Sequence, residues 1–376
     1  MKIIRLDIFP VSVPRKSVFR CALHNHYTMD HVFVRLHTDE GVFGEGEACP
    51  NPPHFPDTVE AVVAALERYL GPAIIGQDCT NIGRLHEIMD NTLRGMVFAK
   101  AAIDMAAHDA LGKLLKVSAC SLLGGQFRDR IELAQSIPIW DPGKTAQEAV
   151  KVVDQGFFQV KLKVGLDKDE DIQRVHAVRK AIGPGVPMRV DGNCGYLTAA
   201  EAIEVLRRMN EAGLDIIEQP LDGADLVGMA KVREALTPTL LADESIMVPK
   251  DVPAVLLSGA ADAINVKVCK AGGLLPAIQA AWASEAFHAP VVIGSQHEAG
   301  LGTAAGIHLA AACRRLPYPN DPKTCLSLVE DVIKQPIRIE RGYAYLPQGP
   351  GLGVELDDAK LQKYLMKNIG RRVVPT

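Results

Sequence analysis

The chain has 376 residues, of which 48% are hydrophobic and 23% are charged, as is ordinary for a globular enzyme. A formal net charge of −4 gives no electrostatic footprint for nucleic acid, and the sequence contains neither a basic amphipathic membrane anchor nor an apolar span of transmembrane length. Eight scattered cysteines without a CxxC pair suggest neither a disulfide framework nor a zinc site, so we expect a cytoplasmic protein.

Residues 1–125 predict an α+β module at the start of the chain. Short apolar runs around a Thr-Asp-Glu-Gly turn indicate an antiparallel meander. The predicted strands cover residues 3–13, 32–36 and 42–47. Apolar periodicity then predicts three helices, over residues 57–70, 81–92 and 99–115. A sheet followed by helices is the α+β arrangement.

From residue 131 onward, short apolar runs alternate with helical stretches. The runs cover residues 131–138, 158–164, 186–193, 214–220, 239–245, 261–268, 289–295 and, weakly, 316–320. The helices cover residues 145–155, 169–182, 198–212, 226–236, 249–257, 274–287 and 304–314. A step of about 25 residues per unit predicts a TIM-type (β/α)₈ barrel, a fold of typically ~250 residues. An open doubly wound sheet is the alternative, but its glycine-rich dinucleotide loop is not visible.

The end of the chain is irregular again. Residues 337–340 and 343–346 flank an Arg-Gly pair as in a hairpin, and we expect this tail to pack back on the first module. The sequence therefore predicts an N-terminal capping domain at 1–125, a catalytic barrel domain at 126–325, and a tail at 326–376 that completes the capping domain.

Five charged residues end consecutive predicted strands: Lys163, Asp191, Glu218, Asp243 and Lys267. In a barrel, the working face lies at the carboxyl ends of the strands. Neighbouring strands are about 4.8 Å apart, so the three acids would repel one another without a cation between them. Mg²⁺ suits a site with few carboxylates because it keeps positions for water and substrate. The alternative is that the acids cap the following helices or pair with lysines.

Lysines stand on both sides of the acids. Lys161 and Lys163 are two residues apart and share the interior face of their strand. Adjacent ammonium groups disfavour each other's protonation, which lowers a lysine pKa toward that of a useful base. We therefore expect one lysine to remove the proton from the carbon beside a substrate carboxylate held by the metal, which gives an enediolate. The other lysine, on the opposite face, returns a proton or stabilises the charge; Lys163 and Lys267 are the two candidates. Simple charge balance with the acids is the alternative.

These strand ends resemble the enolase superfamily in its muconate-lactonizing-enzyme subgroup, within the mandelate racemase/muconate lactonizing enzyme family. The matching segments are VKLKV at 160–164, VDGN at 190–193, IEQP at 217–220, ADES at 242–245 and NVKVCKAGG at 265–273. The resemblance covers nearly the whole chain, including the capping domain. It implies Asp191, Glu218 and Asp243 as ligands of Mg²⁺, or of Mn²⁺. It also implies Lys163 and Lys267 as the acid/base pair, with Lys161 tuning Lys163.

Other residues become candidates for substrate contact or for support of the site. Family loops near residues 15–30 and 45–60 close over the barrel mouth, and here they are rich in histidine, which is also a metal ligand. The segment GSQHEAG at 294–300 carries a glutamate that matches one in lactonizing-type enzymes. The candidates are Asn193, Glu244, Lys270, Glu298, His24, His26, Tyr27 and His54. Because Lys267 occupies the sixth strand, we do not expect His297 to act as a mandelate-racemase-type base.

The leading hypothesis is a Mg²⁺-dependent isomerase that racemises or epimerises an amino-acid-like carboxylate. A muconate-type cycloisomerase and a hydroxy-acid dehydratase, acting for example on hydroxyproline, would use the same groups. A metal-free barrel with a Schiff-base lysine is a hypothesis of a different class. Residues 319–321 supply one acid where dipeptide-specific relatives carry an acid-x-acid pattern, which argues against a dipeptide. The resemblance implies a small-molecule carboxylate as the partner and a homo-oligomer.

Overall fold

A long antiparallel hairpin opens the chain in the computed structural model, which describes residues 1–52 and 54–376. Strand β1 (Ile3–Arg20) pairs with β2 (Asn25–Thr38), and β3 (Phe43–Ala48) pairs with β2. The predicted meander is confirmed, but its first two strands are longer than predicted. A register shift between Pro14 and Phe19 interrupts the pairing, which resumes at Phe19 and His26. The tip of this hairpin extends to the barrel, where Ile139 N–H donates to the carbonyl of Arg20.

Helices cover one face of this sheet. They are α1 (Val59–Ala65), a π-helical turn (Leu66–Leu70), α2 (Gly71–Ile74), α3 (Ile82–Thr92), α4 (Val97–Leu115) and α5 (Ala119–Leu122). Helix α4 packs against β3 backbone to backbone, because β3 offers glycine at the contact. A Cβ atom on Gly46 would lie 1.9 Å from the carbonyl oxygen of Ala102, so no other residue fits there without a shift of the helix.

Seven parallel strands form one curled sheet in sequential order. They are β5 (Ala134–Ile137), β6 (Gln159–Lys163), β7 (Met188–Asp191), β8 (Ile216–Glu218), β9 (Thr239–Ala242), β10 (Ala263–Val266) and β11 (Val291–Ile293). The helices of this region are α6 (Pro142–Asp154), α7 (Lys168–Ile182), α8 (Ala199–Asn210), α9 (Leu226–Ala235), α10 (Asp251–Leu257), α11 (Val268–Ala271), α12 (Leu274–Ala286) and α13 (Gly300–Ala312). The predicted alternation is confirmed, and α11 is an addition to it. The result is an α/β barrel-type fold behind an N-terminal domain.

Side chains from β8 to β11 fill the interior at one end of the curled sheet. Ile216, Leu241, Ala263 and Val292 form a small apolar cluster there, and each is completely buried. Strand alternation directs every second residue to the same face. Glu218 and Asn265 therefore follow Ile216 and Ala263 on the interior face, two residues closer to the carboxyl ends.

The predicted eighth strand at 316–320 does not form. Pro317 and Pro319 lack the N–H groups that a strand ladder requires. Asn320 makes a single parallel bridge to Leu133, immediately before β5. The run predicted as the first barrel strand is also divided, because its start forms a separate strand, β4 (Arg130–Glu132).

Two residues nevertheless contact both edges of the seven-stranded sheet. Asn320 N–H donates to Glu132 O at 2.8 Å, and Asn320 O accepts from Ala134 N at 2.9 Å. On the other side, Asp321 N–H donates to Ile293 O at 2.9 Å. This short extended segment hydrogen-bonds along β5 and β11 at once.

The tail returns to both earlier parts of the chain. A 3₁₀ turn (Thr324–Ser327) precedes the hairpin of β12 (Ile339–Glu340) and β13 (Tyr343–Tyr345), which confirms the predicted hairpin. Strand β13 pairs with β4, and after α14 (Asp358–Tyr364) the last strand, β14 (Arg372–Val374), pairs antiparallel with β1. Within the described part of the chain, no helix is long and apolar enough to cross a membrane.

Candidate active site

Three carboxylates meet at the carboxyl ends of β7, β8 and β9. Asp191 and Glu218 are register partners at the ends of their strands, and Asp243 directly follows β9. All three side chains are buried. Burial and the nearby carboxylate of Asp191 raise the pKa of Glu218 to about 7, although Lys161 opposes the shift. The acids are therefore crowded enough to repel one another, as the strand spacing predicted.

Two lysines of β6 reach the first of these acids. Lys163 Nζ donates to Asp191 Oδ2 at 2.6 Å, and Lys161 Nζ lies 2.8 Å from the same oxygen. Lys161 Nζ also lies 2.6 Å from Glu218 Oε2. Both lysines therefore share the interior face, as predicted. The expected mutual lowering does not apply to Lys161: burial disfavours its charge, but Asp191 and Glu218 outweigh this and raise its pKa well above that of free lysine.

Lys267 follows β10, which lies on the other side of the three acid-bearing strands from β6. It precedes the short helix α11, and its Nζ donates to Asp243 Oδ2 at 2.6 Å. Burial disfavours the ammonium group, but Asp243 raises the pKa of Lys267. One helical turn later, Lys270 Nζ donates to Asp243 Oδ1 at 2.7 Å, while burial lowers the pKa of Lys270. Asp243 is thus bonded by two cations, one on each carboxylate oxygen.

The interior network contains three residues that the sequence analysis did not select. Arg189 forms an ion pair with Asp321, and its Nη1 lies 3.5 Å from Glu218 Oε2. Asn265 Nδ2 donates to Glu218 Oε1 at 2.8 Å. Arg189 lies two residues before Asp191, and Asn265 lies two before Lys267. Because every second residue of a strand shares a face, counting back two residues from Asp191 and from Lys267 would have selected Arg189 and Asn265.

A cavity of about 370 Å³ opens from this network toward the capping domain. The acids' lysine partners Lys161, Lys163 and Lys267 line it. Its wall also includes Arg15 from β1 and Lys323 from the segment after Asp321, and sequence analysis selected neither. Burial lowers the pKa of Lys323 to about 8, although Asp321 opposes the shift. Arg15 and Lys323 therefore add cationic groups to the cavity wall beyond the lysines that contact the acids.

The histidine-rich capping loops bring a cysteine and two histidines together. Cys21 Sγ lies 3.4 Å from His54 Nε2 and 3.9 Å from His26 Nε2. Burial opposes ionisation of the thiol, but hydrogen bonds from both histidines lower the pKa of Cys21 to about 5. Burial disfavours the charged ring of His54, but its contacts with Cys21 and Glu244 outweigh burial and raise the pKa of His54 to about 9. His24 and Tyr27, which were also candidates, are exposed to solvent and do not line the cavity.

The remaining candidates connect the acid cluster to the loops. Asn193 Oδ1 accepts from Lys163 Nζ at 2.6 Å, and Asn193 Nδ2 donates to Glu244 Oε1 at 3.1 Å. Glu244 therefore points away from Asp243 and toward the capping loops, where His54 Nδ1 lies 3.6 Å from its Oε1. Glu298 is buried and accepts from the backbone N–H of Gln296 at 2.7 Å, which fixes the loop after β11.

Comparison with known proteins identifies the class of this chain. Residues 3–124 match the N-terminal domain of mandelate racemase/muconate lactonizing enzyme, and residues 144–360 match the enolase C-terminal domain-like family. An N-succinyl-L-Arg/Lys racemase of Bacillus cereus is 31% identical over 96% of this chain and 98% of its own. An L-Ala-D/L-Glu epimerase of Bacillus subtilis is 34% identical over 94% and 97%, respectively. A chloromuconate cycloisomerase of Cupriavidus pinatubonensis is 32% identical over 94% and 96%.

Solved structures agree with this similarity. The crystal structure of the N-succinyl Arg/Lys racemase from Bacillus cereus superposes with a TM-score of 0.95 at 30% identity and covers 100% of both chains. A dipeptide epimerase from Enterococcus faecalis, complexed with Mg and the dipeptide L-Leu-L-Tyr, gives a TM-score of 0.90 at 30% identity and covers 94% of this chain and 100% of its own.

The racemase, epimerase and cycloisomerase relatives are all isomerases, and they place this enzyme in the same class. The chain belongs to the mandelate racemase/muconate lactonizing enzyme family of the enolase superfamily.

Proposed function

We propose that this enzyme racemises or epimerises an amino-acid-like carboxylate by moving the proton on the carbon beside that carboxylate. One observation carries the proposal. Lys163 bonds to Asp191 and Lys267 bonds to Asp243, so the two lysines contact different members of the acid cluster from β6 and β10. A proton transfer that inverts a carbon centre needs a base on one face and an acid on the other.

The donor set fits a magnesium ion. Asp191, Glu218 and Asp243 offer buried carboxylate oxygens, which are the ligands that hard divalent cations prefer. Burial and the neighbouring carboxylate of Asp191 raise the pKa of Glu218, and a cation bound among these acids would offset both effects. When bound, Mg²⁺ supplies positive charge that stabilises the negative charge developing on the substrate's carboxylate oxygens. Mn²⁺ prefers similar oxygen ligands and is a second candidate for the same residues.

The side chains of this protein would then divide the work. One of Lys163 and Lys267, in its neutral form, accepts the α-proton at Nζ, and the other, as an ammonium group, delivers a proton to the opposite face of the enediolate. Lys161 stays protonated beside Asp191 and Glu218 and contributes fixed positive charge to the site. Asn193 and Lys270 hold Lys163 and Asp243 in position through their hydrogen bonds.

The cavity wall supports a substrate whose far end is anionic. Asp321, the acid of the segment after the seventh strand, is bonded to Arg189 inside the barrel. Asp321 lines the cavity but is already paired with Arg189, and Lys323 and Arg15 line the same cavity. An ammonium group, such as the amino terminus of a dipeptide, would meet two cations there. We infer that the substrate carries a second carboxylate, as an N-succinyl amino acid does.

A muconate-type cycloisomerase is the second candidate, since a chloromuconate cycloisomerase is 32% identical and a muconate is also a diacid. A hydroxy-acid dehydratase would use the same lysines, but no contact among the described residues favours it. The Schiff-base alternative is disfavoured because it gives the three buried carboxylates of Asp191, Glu218 and Asp243 no role.

A substrate panel tests the proposal. The protein loaded with Mg²⁺ is incubated in heavy water with N-succinyl amino acids, dipeptides and muconates, and exchange at the α-carbon is followed by NMR. We expect exchange and racemisation of N-succinyl amino acids, no turnover of dipeptides, and loss of activity with EDTA. Lactone formation from muconate without α-exchange of amino-acid derivatives would favour the cycloisomerase. Activity that survives EDTA and is trapped by borohydride would favour the Schiff-base enzyme.

Strand pairing supports the division of the chain into domains that the sequence predicts. We infer a capping domain at 1–125, a barrel domain at 126–325 and a tail at 326–376 that belongs with the capping domain through the pairing of β14 with β1. We further infer that the segment of Asn320 and Asp321 closes the barrel as its eighth element, because it bonds both edge strands. The family also leads us to expect a homo-oligomer, which sedimentation equilibrium would test.

A further inference from the structure

The capping loops hold a cluster of soft metal ligands that the proposed reaction does not use. Cys21 and His26 flank the turn between β1 and β2, and His54 comes from the loop after β3. The Cys21 sulfur and one ring nitrogen of each histidine lie within 4.8 Å of one another. The three ligands come from positions 21, 26 and 54, so the cluster does not show as a short metal-binding motif in the sequence.

The separations fit tetrahedral zinc. Bonds of about 2.3 Å to sulfur and 2.0–2.1 Å to nitrogen place neighbouring ligand atoms about 3.3 to 3.6 Å apart in a tetrahedron. The sulfur–nitrogen distances here are 3.4 Å to His54 Nε2 and 3.9 Å to His26 Nε2. One sulfur–nitrogen pair is already close to the required spacing, and the other needs a shift of a few tenths of an ångström. The two histidine nitrogens lie within 4.8 Å of each other and would move closer on binding.

A carboxylate stands behind one of the histidines. His54 presents Nε2 to Cys21, and its other ring nitrogen, Nδ1, lies 3.6 Å from Glu244 Oε1. Asn193 Nδ2 donates to the same carboxylate oxygen at 3.1 Å. Histidines that bind metals commonly present the second ring nitrogen to a carboxylate, which fixes the tautomer and makes the ligating nitrogen more basic. This arrangement is independent of the distances among the three ligand atoms.

We propose that Cys21, His26 and His54 bind Zn²⁺, or another thiophilic divalent ion, at the mouth of the active-site cavity, and that this ion inhibits the enzyme. Cys21 and His54 line the cavity together with Lys163 and Lys267, so an ion there stands in the path of the substrate. Three protein ligands leave a fourth position open to water or to a substrate carboxylate. On binding, the Cys21–His54 pair releases its shared proton to solvent, so the sulfur coordinates the ion as a thiolate and the imidazole coordinates it as a neutral ring.

The two metal sites differ in ligand chemistry. The acid cluster offers oxygen alone, which suits Mg²⁺, whereas thiolate and imidazole favour zinc, cobalt and copper. Saturating Mg²⁺ therefore protects the acid cluster and leaves the loop cluster free. A substitution at Glu244 perturbs the loop cluster without removing a proposed Mg²⁺ ligand. Glu244 follows Asp243 in sequence, but its side chain contacts His54 and Asn193.

Cobalt spectroscopy tests binding without any enzymatic turnover. Co²⁺ is titrated into protein that is saturated with Mg²⁺, and the thiolate-to-cobalt charge-transfer band in the near ultraviolet is recorded. We expect this band in the wild type and in the control Cys79→Ala, a buried cysteine far from the cluster, and its loss in Cys21→Ala. Glu244→Gln should weaken cobalt binding by about 10- to 100-fold while the band remains. A wild type without the band, or a band that persists in Cys21→Ala, would overturn the proposal.

Inhibition is measured separately. Zinc is added to the exchange assay at saturating Mg²⁺, and each variant is compared with its own zinc-free rate. We expect zinc to inhibit the wild type and Cys79→Ala, and at least ten times more zinc to be needed for Cys21→Ala. Equal sensitivity of Cys21→Ala would overturn the inhibitory role. Failure of the proposed reaction would leave the cobalt spectrum unaffected, so the two hypotheses fail separately.

Discussion

Lys163 and Asp191 are register partners on neighbouring strands, and Lys163 Nζ donates to Asp191 Oδ2 at 2.6 Å. A residue that we propose as an acid/base group is thus bonded directly to a residue that we propose as a metal ligand. Any positive charge placed on Asp191 weakens its hold on the ammonium group and favours the neutral amine. The site therefore couples metal binding to the protonation of its lysine bases.

We assign Asp243, and not the adjacent Glu244, as a ligand of Mg²⁺. Asp243 is buried between Lys267 and Lys270, whereas Glu244 bonds to Asn193 and faces His54. Asp243→Asn should weaken Mg²⁺ binding by about 100-fold or more, because it removes a charged ligand, and Glu244→Gln should leave it within a few-fold. Isothermal titration calorimetry with MgCl₂ measures both. The reverse order would move the ligand to Glu244.

We expect the positive charges of Arg15 and Lys323 in the cavity wall to select substrates with a second carboxylate. Lys323→Met removes a buried cation from the cavity, so we expect KM for N-succinyl amino acids to rise about tenfold or more, with a smaller effect on kcat. N-acyl amino acids that lack the second carboxylate should be affected little. Lys334→Met, which removes an exposed lysine paired with Glu355, is the matched control. Equal losses for both substrate classes would show that Lys323 does not contact the distal carboxylate.

A buried histidine makes stability depend on pH. His308 Nδ1 accepts from the N–H of Cys120 at 3.3 Å and its Nε2–H donates to Leu352 O at 3.0 Å, so the ring is neutral. Burial lowers its pKa from 6.5 to about 4, although the Leu352 contact opposes this. The unfolded chain therefore binds the proton first, and stability falls as the pH drops from about 6.5 toward 4, by up to roughly 3 kcal/mol for this group.

Urea unfolding at several pH values measures this contribution. His308→Gln should be less stable than the wild type at pH 7 and should lose less stability on acidification. His288→Asn is the control, because His288 is exposed and its φ of 59° is one that asparagine tolerates. The same acid-side slope in His308→Gln and wild type would mean that other groups carry the pH dependence.

The sequence was sufficient for the repeating part of this molecule. Apolar runs ending in a charge at a near-constant step predicted β6 to β10, and the same step placed Asp191, Glu218 and Asp243 at one end of the sheet. Alternation also predicted that Lys161 and Lys163 share a face. These features are local and periodic, so they are visible without knowledge of the fold.

The sequence alone did not predict the contacts between distant segments of the chain. The partners of Asp321 are Arg189 and Lys161, which lie more than a hundred residues earlier in the sequence. Cys21 and His54 meet because two capping loops converge on the barrel mouth. The eighth strand failed for a local reason, since Pro317 and Pro319 interrupt the ladder, and the prolines could have been weighed against the expected barrel count.

The central claim is that Lys163 and Lys267 act on opposite faces of one carbon. The measurement is α-proton exchange in heavy water with each enantiomer of the same N-succinyl amino acid, for Lys163→Ala and Lys267→Ala loaded with Mg²⁺. We predict that both variants lose racemisation, and that each loses exchange with one enantiomer, a different one for each variant. Racemisation by either variant, or loss of exchange with the same enantiomer in both, would contradict the two-base account.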